Sequence, residues 1–491
     1  MLAFLGAACA AMTRRRAILR AGALTGILMG ALPLAACKTL SSDGGMDAVA
    51  SATGDALSKD VAAIRTPEQA AVARAKIEQL LRRPLTVGSA VQIALLNNRG
   101  LQAAYNELGI AEATMVEASL PPSPTFSLQH ISGQVEFEIE RRIVANILAL
   151  ATLPARTEIA GEQFREAQLR AAQETLRVAA ETRRAFYRSI AALELSGFLN
   201  DSEAAAQSAS DLAKRLSESG GMNKLDRARE QVFHAEIAAQ VEKARQQAIS
   251  EREGLVRALG VSGSDLAFKL PKSLPALPGR PRNLPSAEMQ ALARRLDLQI
   301  ARIDLDAMAK SYGLTRTTRF LNLLDVTAVG KTAVDRLRGE HIRDLGFEAA
   351  IQIPLFDFGE VRVRKAEETY MEAVNRLVEM SVNARSQARE AYQAYRSAYG
   401  IAARYRDEVL PLRQTIADET SLRYNAMMTD VFGLLTEARE RIASRASGIE
   451  AQRDFWLSNV DLDSAILTGS PGVGSQPSLM AMPSLDEADP H

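Results

Sequence analysis

Residues 89–104, SAVQIALLNNRGLQAA, return as residues 286–301, SAEMQALARRLDLQIA, with Ser, Ala, Ala, Leu, Leu, Gln and Ala in register. A duplication constrains the fold more than any single motif, because both halves must build the same unit. Each copy opens a helix and is followed by segments in which apolar and polar residues alternate. In the first copy Val135, Phe137, Ile139, Ile143, Ala145 and Ile147 fall on one face of an extended chain. Glu136, Glu138, Glu140, Arg142 and Asn146 fall on the other. Period two over this length is the signature of a half-buried strand. Arg141 breaks the apolar face. In the second copy Phe347, Ala349, Ile351 and Ile353 alternate with Glu348 and Gln352. Pro124 and Pro354 sit at strand ends, where proline is tolerated. Each half is expected to read helix, two strands, helix.

The helices after the strands are expected to be long. From Ala155 to about Ser219 there is no proline. Leu169, Ala172, Leu176, Ala179, Arg183, Phe186, Ile190 and Leu193 alternate steps of three and four, a heptad seam with one fault at Arg183. About 60 helical residues reach on the order of 90 Å. The seam breaks at residues 217–226, SESGGMNKLD, where Gly220 and Gly221 permit a tight reversal. A return helix is expected from Asn223 to about Leu259. The second half repeats the plan: a helix from Val361, a break at residues 423–432, RYNAMMTDVF, and a helix back to about Leu467. LDRARE (225–230) and LTEARE (435–440) stand at equivalent places in this scheme. Residues 270–285 are proline-rich and read as a linker between the halves; residues 469–491 read as a disordered tail. The fold class is mainly α with a small β part. The parts are a signal segment (1–36), an N-terminal segment (37–84), a first repeat (85–269), the linker, a second repeat (286–468) and the tail.

Composition removes several functions. Lys plus Arg and Asp plus Glu are both 59, so the net charge is zero and no nucleic-acid partner is expected. Aromatics are only 5% of residues, which suits helices packed through narrow, alanine-rich seams. The two cysteines are Cys9 and Cys37. The body after Lys38 therefore holds neither a disulfide nor a thiolate metal site. His130, His234, His341 and His491 are scattered without ligand spacing, so no metal site is expected. Met427 and Met428, with Met115 and Met222, hint at soft-metal contact, but packing at the helix turns is the preferred reading. There is no Walker loop, dinucleotide fingerprint or nucleophile elbow, so no enzyme and no cofactor are expected.

The N-terminus has the layout of an export signal. A basic stretch, TRRRAILR (13–20), precedes a short apolar run ending LPLAAC. The run is shorter than the roughly 20 residues needed to span a bilayer. Leu34-Ala35-Ala36-Cys37 resembles a bacterial lipobox, which makes Cys37 the lipidated first residue of the mature chain. Arg15-Arg16 resembles a twin-arginine signal, so the general secretory and twin-arginine routes both stay open. Met12 is an alternative start to Met1. Lys38, in place of an aspartate, favours the outer membrane.

At this point the chain, from about Leu85 to Gly469, resembles the TolC-type outer-membrane efflux family in its lipoprotein branch. LTVGSAVQIALLNNRGLQAAYNELGIAEATMVEASLPPSPTFSL is similar to that family's opening helix and first strand. ALATLPAR (149–156) and IPLFDFGEVR (353–362) resemble its exits from the two hairpins, and SLRYNAMMTDVFGLLTEARER (421–441) its second periplasmic turn. The resemblance implies a homotrimer whose twelve strands close a β-barrel in the outer membrane. It also implies long helices forming a tunnel across the periplasm of a Gram-negative cell. An adaptor (membrane fusion) protein and an inner-membrane pump are the implied partners. Acidic residues near the turns line the closed entrance in that family. Asp226 and Asp430 are therefore gate candidates, with Arg423 as a polar partner and Gly220 and Gly221 at the adaptor-facing turn; helix capping is the plainer role for the two aspartates. One departure stands out: DVTAVGKTAVDRLRGEH (325–341) is polar and is expected to form a long external loop.

The residues lead to the same place without the family. Two strands per half cannot stand alone, and inside lipid they must join a closed barrel. Four strands per chain fall short of the smallest closed transmembrane barrels of about eight, so spanning strands require oligomerisation. The alternative is a scaffolding lipoprotein with a soluble sheet and a helical stalk. The cargo, whether drug, metal or small organic molecule, is not written in the sequence.

Overall fold

The structure, a computed structural model, describes residues 40–133, 136–335, 338–429 and 431–469. The signal segment, Cys37, Val135 and the tail beyond residue 469 lie outside the described residues. The chain forms two compact units. One holds residues 110–164 and 309–367; the other holds residues 45–109 and 165–308 and the chain from 368 onward.

In the first unit β1 (Thr125–Ser132), β2 (Glu136–Asn146), β3 (Leu323–Asp335) and β4 (Glu340–Gln352) make one antiparallel sheet in the order β1-β2-β3-β4. The pairing of β2 with β3 joins the hairpin of the first half to that of the second. Segment 325–341 is therefore no long loop. Asp325 to Asp335 pair with both neighbours, and only residues 336–339 separate β3 from β4. The alternation is there, with Val326, Ala328 and Val334 against Asp325, Lys331 and Asp335. Its apolar-face residues are too small, and interrupted by Gly330 and Thr332, to read as a strand by hydropathy. The expected faces otherwise hold, except that Ile147 and Ile353 fall just outside the strands.

Arg141 sits in the apolar face without any shift of the pleat, because the β2–β3 register runs unbroken through it. Its partner there is Gly330, whose missing side chain leaves room, and its Nη1 donates to Thr332 Oγ1 at 3.2 Å.

The exit from the second hairpin depends on Gly359. Its φ is 74°, and a Cβ there would lie 2.1 Å from the Arg319 carbonyl oxygen. Gly359→Ala is expected to cost about 2–4 kcal/mol, from left-handed strain plus the forced shift of backbone. A thermal-melt comparison with Gly313→Ala, which has open space around it, checks this.

The long helices start and stop where local chemistry says. α5 (Ile147–Glu218) has 72 residues. It begins eight residues before the expected Ala155, because Asn146 Oδ1 accepts the Ala149 N–H at 2.6 Å and caps the helix there; Pro154 is absorbed inside it. α6 (Lys224–Leu259) returns, capped by Asn223 as expected. In the second half α9 (Glu360–Arg404) passes through a π turn (Tyr405–Val409) into α10 (Leu410–Asn425), and α11 (Val431–Leu467) returns. The expected unbroken helix carries the π turn because Pro411 lacks an N–H and its ring crowds the preceding turn.

Within the second unit the α5 seam is buried at Ala172, Leu176, Ala179, Phe186 and Ile190, while Leu193 is exposed. The fault, Arg183, is half-buried and lies near Asp463 of α11. Tyr395, Ala402, Phe455, Leu462 and Ile466 form a core between α9 and α11. The proline-rich linker is strapped onto these helices. Trp456 Nε1 and Gln452 Nε2 donate to the Pro275 carbonyl at 3.0 and 2.7 Å, and the Arg282 N–H donates to Tyr395 Oη at 2.9 Å.

Both repeats close in the same way. α3 (Val87–Asn97) and α4 (Arg99–Ser119) are split by extended Asn98, as α7 (Ala287–Arg294) and α8 (Leu296–Thr317) are split by Arg295. Left-handed Gly260 packs on the Asn97 carbonyl, and left-handed Gly469 on Arg295 and Asp297. Two short helices before the first repeat, α1 (Met46–Leu57) and α2 (Pro67–Leu81), went unread in the sequence. The second carries a full Thr66–Gln69 capping box, which was the available signal.

Candidate functional site

The register sorts the sheet into two unlike faces. Residues paired across antiparallel strands point the same way. One face carries Phe126 and Leu128 of β1, Ile139 and Ile143 of β2, Val326 of β3, and Leu345, Phe347 and Ile351 of β4. Leu345 is 95% exposed and Phe347 84%, so the centre of this apolar band is left uncovered among the described residues. His130 packs edge-on against Phe137 on the same face, 5.0 Å between ring centres. The opposite face is charged: Lys331 Nζ lies 2.7 Å from Glu138, and Arg142 pairs with Glu140. Just past β4, Leu355, Phe356 and Phe358 are exposed as well. Among the described residues β1 and β4 are both edge strands.

The two helix turns have the same geometry from different sequences. In the first, the Gly221 N–H donates to the Leu216 carbonyl at 2.8 Å and Gly220 is left-handed at φ 75°. In the second, the Met428 N–H donates to the Arg423 carbonyl at 2.8 Å and Met427 is left-handed at φ 56°. Both are Schellman endings. Glycine makes the first without strain; methionine accepts roughly 1–2 kcal/mol to make the second. Met427 and Met428 are 94% and 77% exposed, which corrects the expectation that they pack at the turn. LDRARE begins at the second residue of α6 and LTEARE at the fifth of α11, so these segments are about one turn out of equivalence.

Asp226 occupies the first turn of α6. Its N–H donates to Asn223 Oδ1 at 2.9 Å, its carboxylate accepts from Asn223 Nδ2 at 2.7 Å, and Arg229 lies 3.2 Å away. All of these partners are local, as capping requires. The Arg423 side chain is exposed and makes no ion pair among the described residues; Asp430 lies outside them.

The polar contacts between helices lie one to two turns deeper, at the last residue of LDRARE and the fifth of LTEARE. Arg439 Nη2 of α11 donates to Glu230 Oε1 of α6 at 2.9 Å, and its guanidinium stands 4.4 Å over the Phe233 ring. Glu230 is 2% exposed, and its Oε2 has no hydrogen-bond partner among the described residues. Burial pushes the Glu230 carboxyl above the usual carboxylate range, against the opposing pull of Arg439. Arg413 of α10 pairs with Glu440 and with the buried Glu437 at 3.4 Å on α11. A groove lined by Leu225, Val232, Phe233, Arg229 and Arg439 runs beside the first pair. Glu230 and Arg439 are ordinary charged helix residues in sequence. Only packing makes them a pair.

Among the described residues there is no cluster of three or more metal-ligating side chains, and no helix long and apolar enough to cross a membrane.

A sheet with an apolar face, a charged face and two open edges, continued by long paired helices, is a fold also found in solved outer-membrane channels. The outer membrane efflux protein family model matches residues 289–466, which lie within the second repeat. No curated protein sequence matches the chain. Its fold is shared with three solved structures. CusC aligns with TM-score 0.65 at 16% identity over 78% of this chain and 92% of that one. The outer-membrane channel OprN aligns with TM-score 0.65 at 18% identity over 85% and 95%. The open state of the Neisseria gonorrhoeae MtrE channel aligns with TM-score 0.64 at 14% identity over 78% and 89%. At these identities the likeness is one of fold.

Proposed function

We propose that this protein is the outer-membrane channel of a tripartite efflux or secretion system, a passive conduit from periplasm to exterior. The observation that carries the reading is the sheet. Its apolar face and its two free edges are tolerable in a membrane only inside a closed barrel. One chain supplies too few strands to close one, and three copies supply twelve. The exposed Leu355, Phe356 and Phe358 suit an interfacial girdle at the barrel's helix-side rim. The helices that leave the strands end at the turns around Gly220 and Met427. With the strands in the outer membrane, those turns face the periplasm and an adaptor carrying cargo from an inner-membrane pump. Gly220 and Gly221, with Asp226, Arg423 and Asp430, are the proposed adaptor and gate contacts, and Glu230–Arg439 is added as a tie between α6 and α11. The conduit needs no cofactor and performs no chemistry.

Single-channel recording of the purified protein in a planar bilayer, with its mass in detergent, tests the reading. Stepwise conductance from a trimer is expected. A monomer that forms no pores would leave the scaffolding alternative.

Cys37 is proposed as the lipidated mature N-terminus. A single acyl chain anchors only marginally, so Cys37→Ser is expected to slow outer-membrane assembly without abolishing folding. Mass spectrometry of the N-terminal peptide checks it; an unmodified Cys37 inside a longer chain rules the lipid out.

A further inference from the structure

The junction where the second hairpin passes into α9 holds two features that the chain's own contacts leave unsatisfied. The first is backbone strain. Phe358 is left-handed at φ 47°, directly before left-handed Gly359. A bulky aromatic rarely adopts that conformation, and residues held in it cluster at functional sites. The strain does not bury the ring: Phe358 is 53% exposed, and Phe356 two residues earlier is fully exposed. Phe320, next to the Arg319 that Gly359 packs against, is exposed as well.

The second feature is a pair of arginines. Arg319 lies two residues past α8 and Arg362 lies in the first turn of α9. Arg362 Nη2 donates to the Thr318 carbonyl at 2.9 Å, and the Arg319 carbonyl abuts Gly359, so the two residues share one junction. Both side chains are half-buried, and the Nε of each is buried without a hydrogen-bond partner among the described residues. Arg319 stands 4.4 Å over the Phe320 ring, a contact that uses none of its N–H donors. The neighbouring carboxylates do not compensate them. Asp357 accepts the Gly359 and Val361 N–H groups at 3.0 and 3.3 Å. Asp325 is on the charged face of the sheet with its Oδ1 buried. Glu360 is exposed and forms an ion pair with neither arginine.

We propose that this junction is a headgroup site for an anionic phospholipid of the outer membrane's periplasmic leaflet. Arg319 and Arg362 take the phosphodiester through their Nη N–H groups, while Phe320, Phe356 and Phe358 stand among the upper acyl chains. The proposal rests on the conduit reading, which puts the sheet in lipid and this junction at its periplasmic boundary. A guanidinium is always charged, and its planar fork matches phosphate oxygens. Aromatic rings collect at the headgroup level, and basic pockets at that level bind anionic headgroups. A zwitterionic lipid brings its own cation, so two unpaired arginines favour a net negative headgroup such as phosphatidylglycerol.

The test is fluorescence quenching of the full-length Phe356→Trp variant in vesicles of equal parts phosphatidylglycerol and phosphatidylcholine, with brominated chains on one lipid or the other. The unsubstituted protein, whose single tryptophan is Trp456, gives the background. Bromine on phosphatidylglycerol is expected to quench the added indole several-fold more than bromine on phosphatidylcholine. Adding Arg319→Gln, which removes a charge but no hydrogen bond among the described residues, is expected to bring the two equal. Adding Arg316→Gln, at an exposed arginine in the last turn of α8, is expected to leave the difference in place. Equal quenching by the two lipids, a preference that survives Arg319→Gln, or one lost equally with Arg316→Gln overturns the headgroup site and leaves the conduit standing. A preference abolished by inorganic phosphate assigns the arginines to the free anion and overturns the lipid site as well. No quenching by either lipid means that the rim stays out of the bilayer and overturns both readings.

Discussion

Replacing Phe347 by arginine is expected to abolish assembly in the outer membrane, while replacing its neighbour Glu348 by arginine is expected to leave assembly intact. The two residues are adjacent in β4 and point to opposite faces of the sheet. Phe347 is 84% exposed in the apolar band, beside Ala328 and Ile143 in the same row. An arginine on the lipid face near mid-bilayer costs about 2–4 kcal/mol, and a trimer incurs it three times. That is comparable with the whole stability of an ordinary domain. On the charged face the arginine of Glu348→Arg meets water and carboxylates. Outer-membrane fractionation, with the heat-resistant oligomer read on a gel, measures the contrast. Equal tolerance of both substitutions would mean that the sheet never enters lipid and would favour the scaffold.

The second large effect is expected at the tie between α6 and α11. Arg439→Ala removes the hydrogen-bond donor to the buried Glu230 carboxylate and the cation over Phe233. Leaving such a group unpaired costs about 1–3 kcal/mol. Glu230→Gln should cost less, because a neutral amide tolerates burial better than a charge. The pH dependence has a definite sign. Burial raises the Glu230 pKa above its unfolded value. The folded state therefore keeps the proton to higher pH than the unfolded state does. This group's contribution to stability is fully present below the ordinary carboxylate range and is lost as pH rises through the raised value. Melting curves between about pH 4 and 8 should show this falling component in the native protein. Glu230→Gln should flatten it, and Arg439→Ala should steepen it and move it upward. A profile identical in all three proteins would remove Glu230 from the account. If the tie helps hold the entrance closed, Arg439→Ala will also raise the resting conductance.

Much of the architecture is legible in the residues because it is periodic. The duplicated helix start, the period-two run around Phe137 and Ile139, the heptad steps from Leu169 to Ile190 and the Gly220 reversal each depend on a few neighbours. Local sterics and solvent sorting decide such features. Strand β3 escaped because its alternation is carried by small residues; pairing with β2 and β4 on both sides, not hydrophobicity, makes it a strand. The π turn before Pro411 and the left-handed Met427 escaped because the surrounding helices impose those conformations on residues with no preference for them.

The site divides along the same line. Local pattern carries the repeat, the first strand pair, the long helices and the apolar strand faces. It also placed Asp226 near a helix start, where its local cap follows from spacing alone. Packing and register bring Glu230 to Arg439, Arg413 to Glu437, and the carboxylates of β2, β3 and β4 onto one face. These are contacts between residues brought together by the fold. Their partners are fixed by strand register and helix packing, and a side chain's own identity carries no record of which neighbour the register will bring beside it.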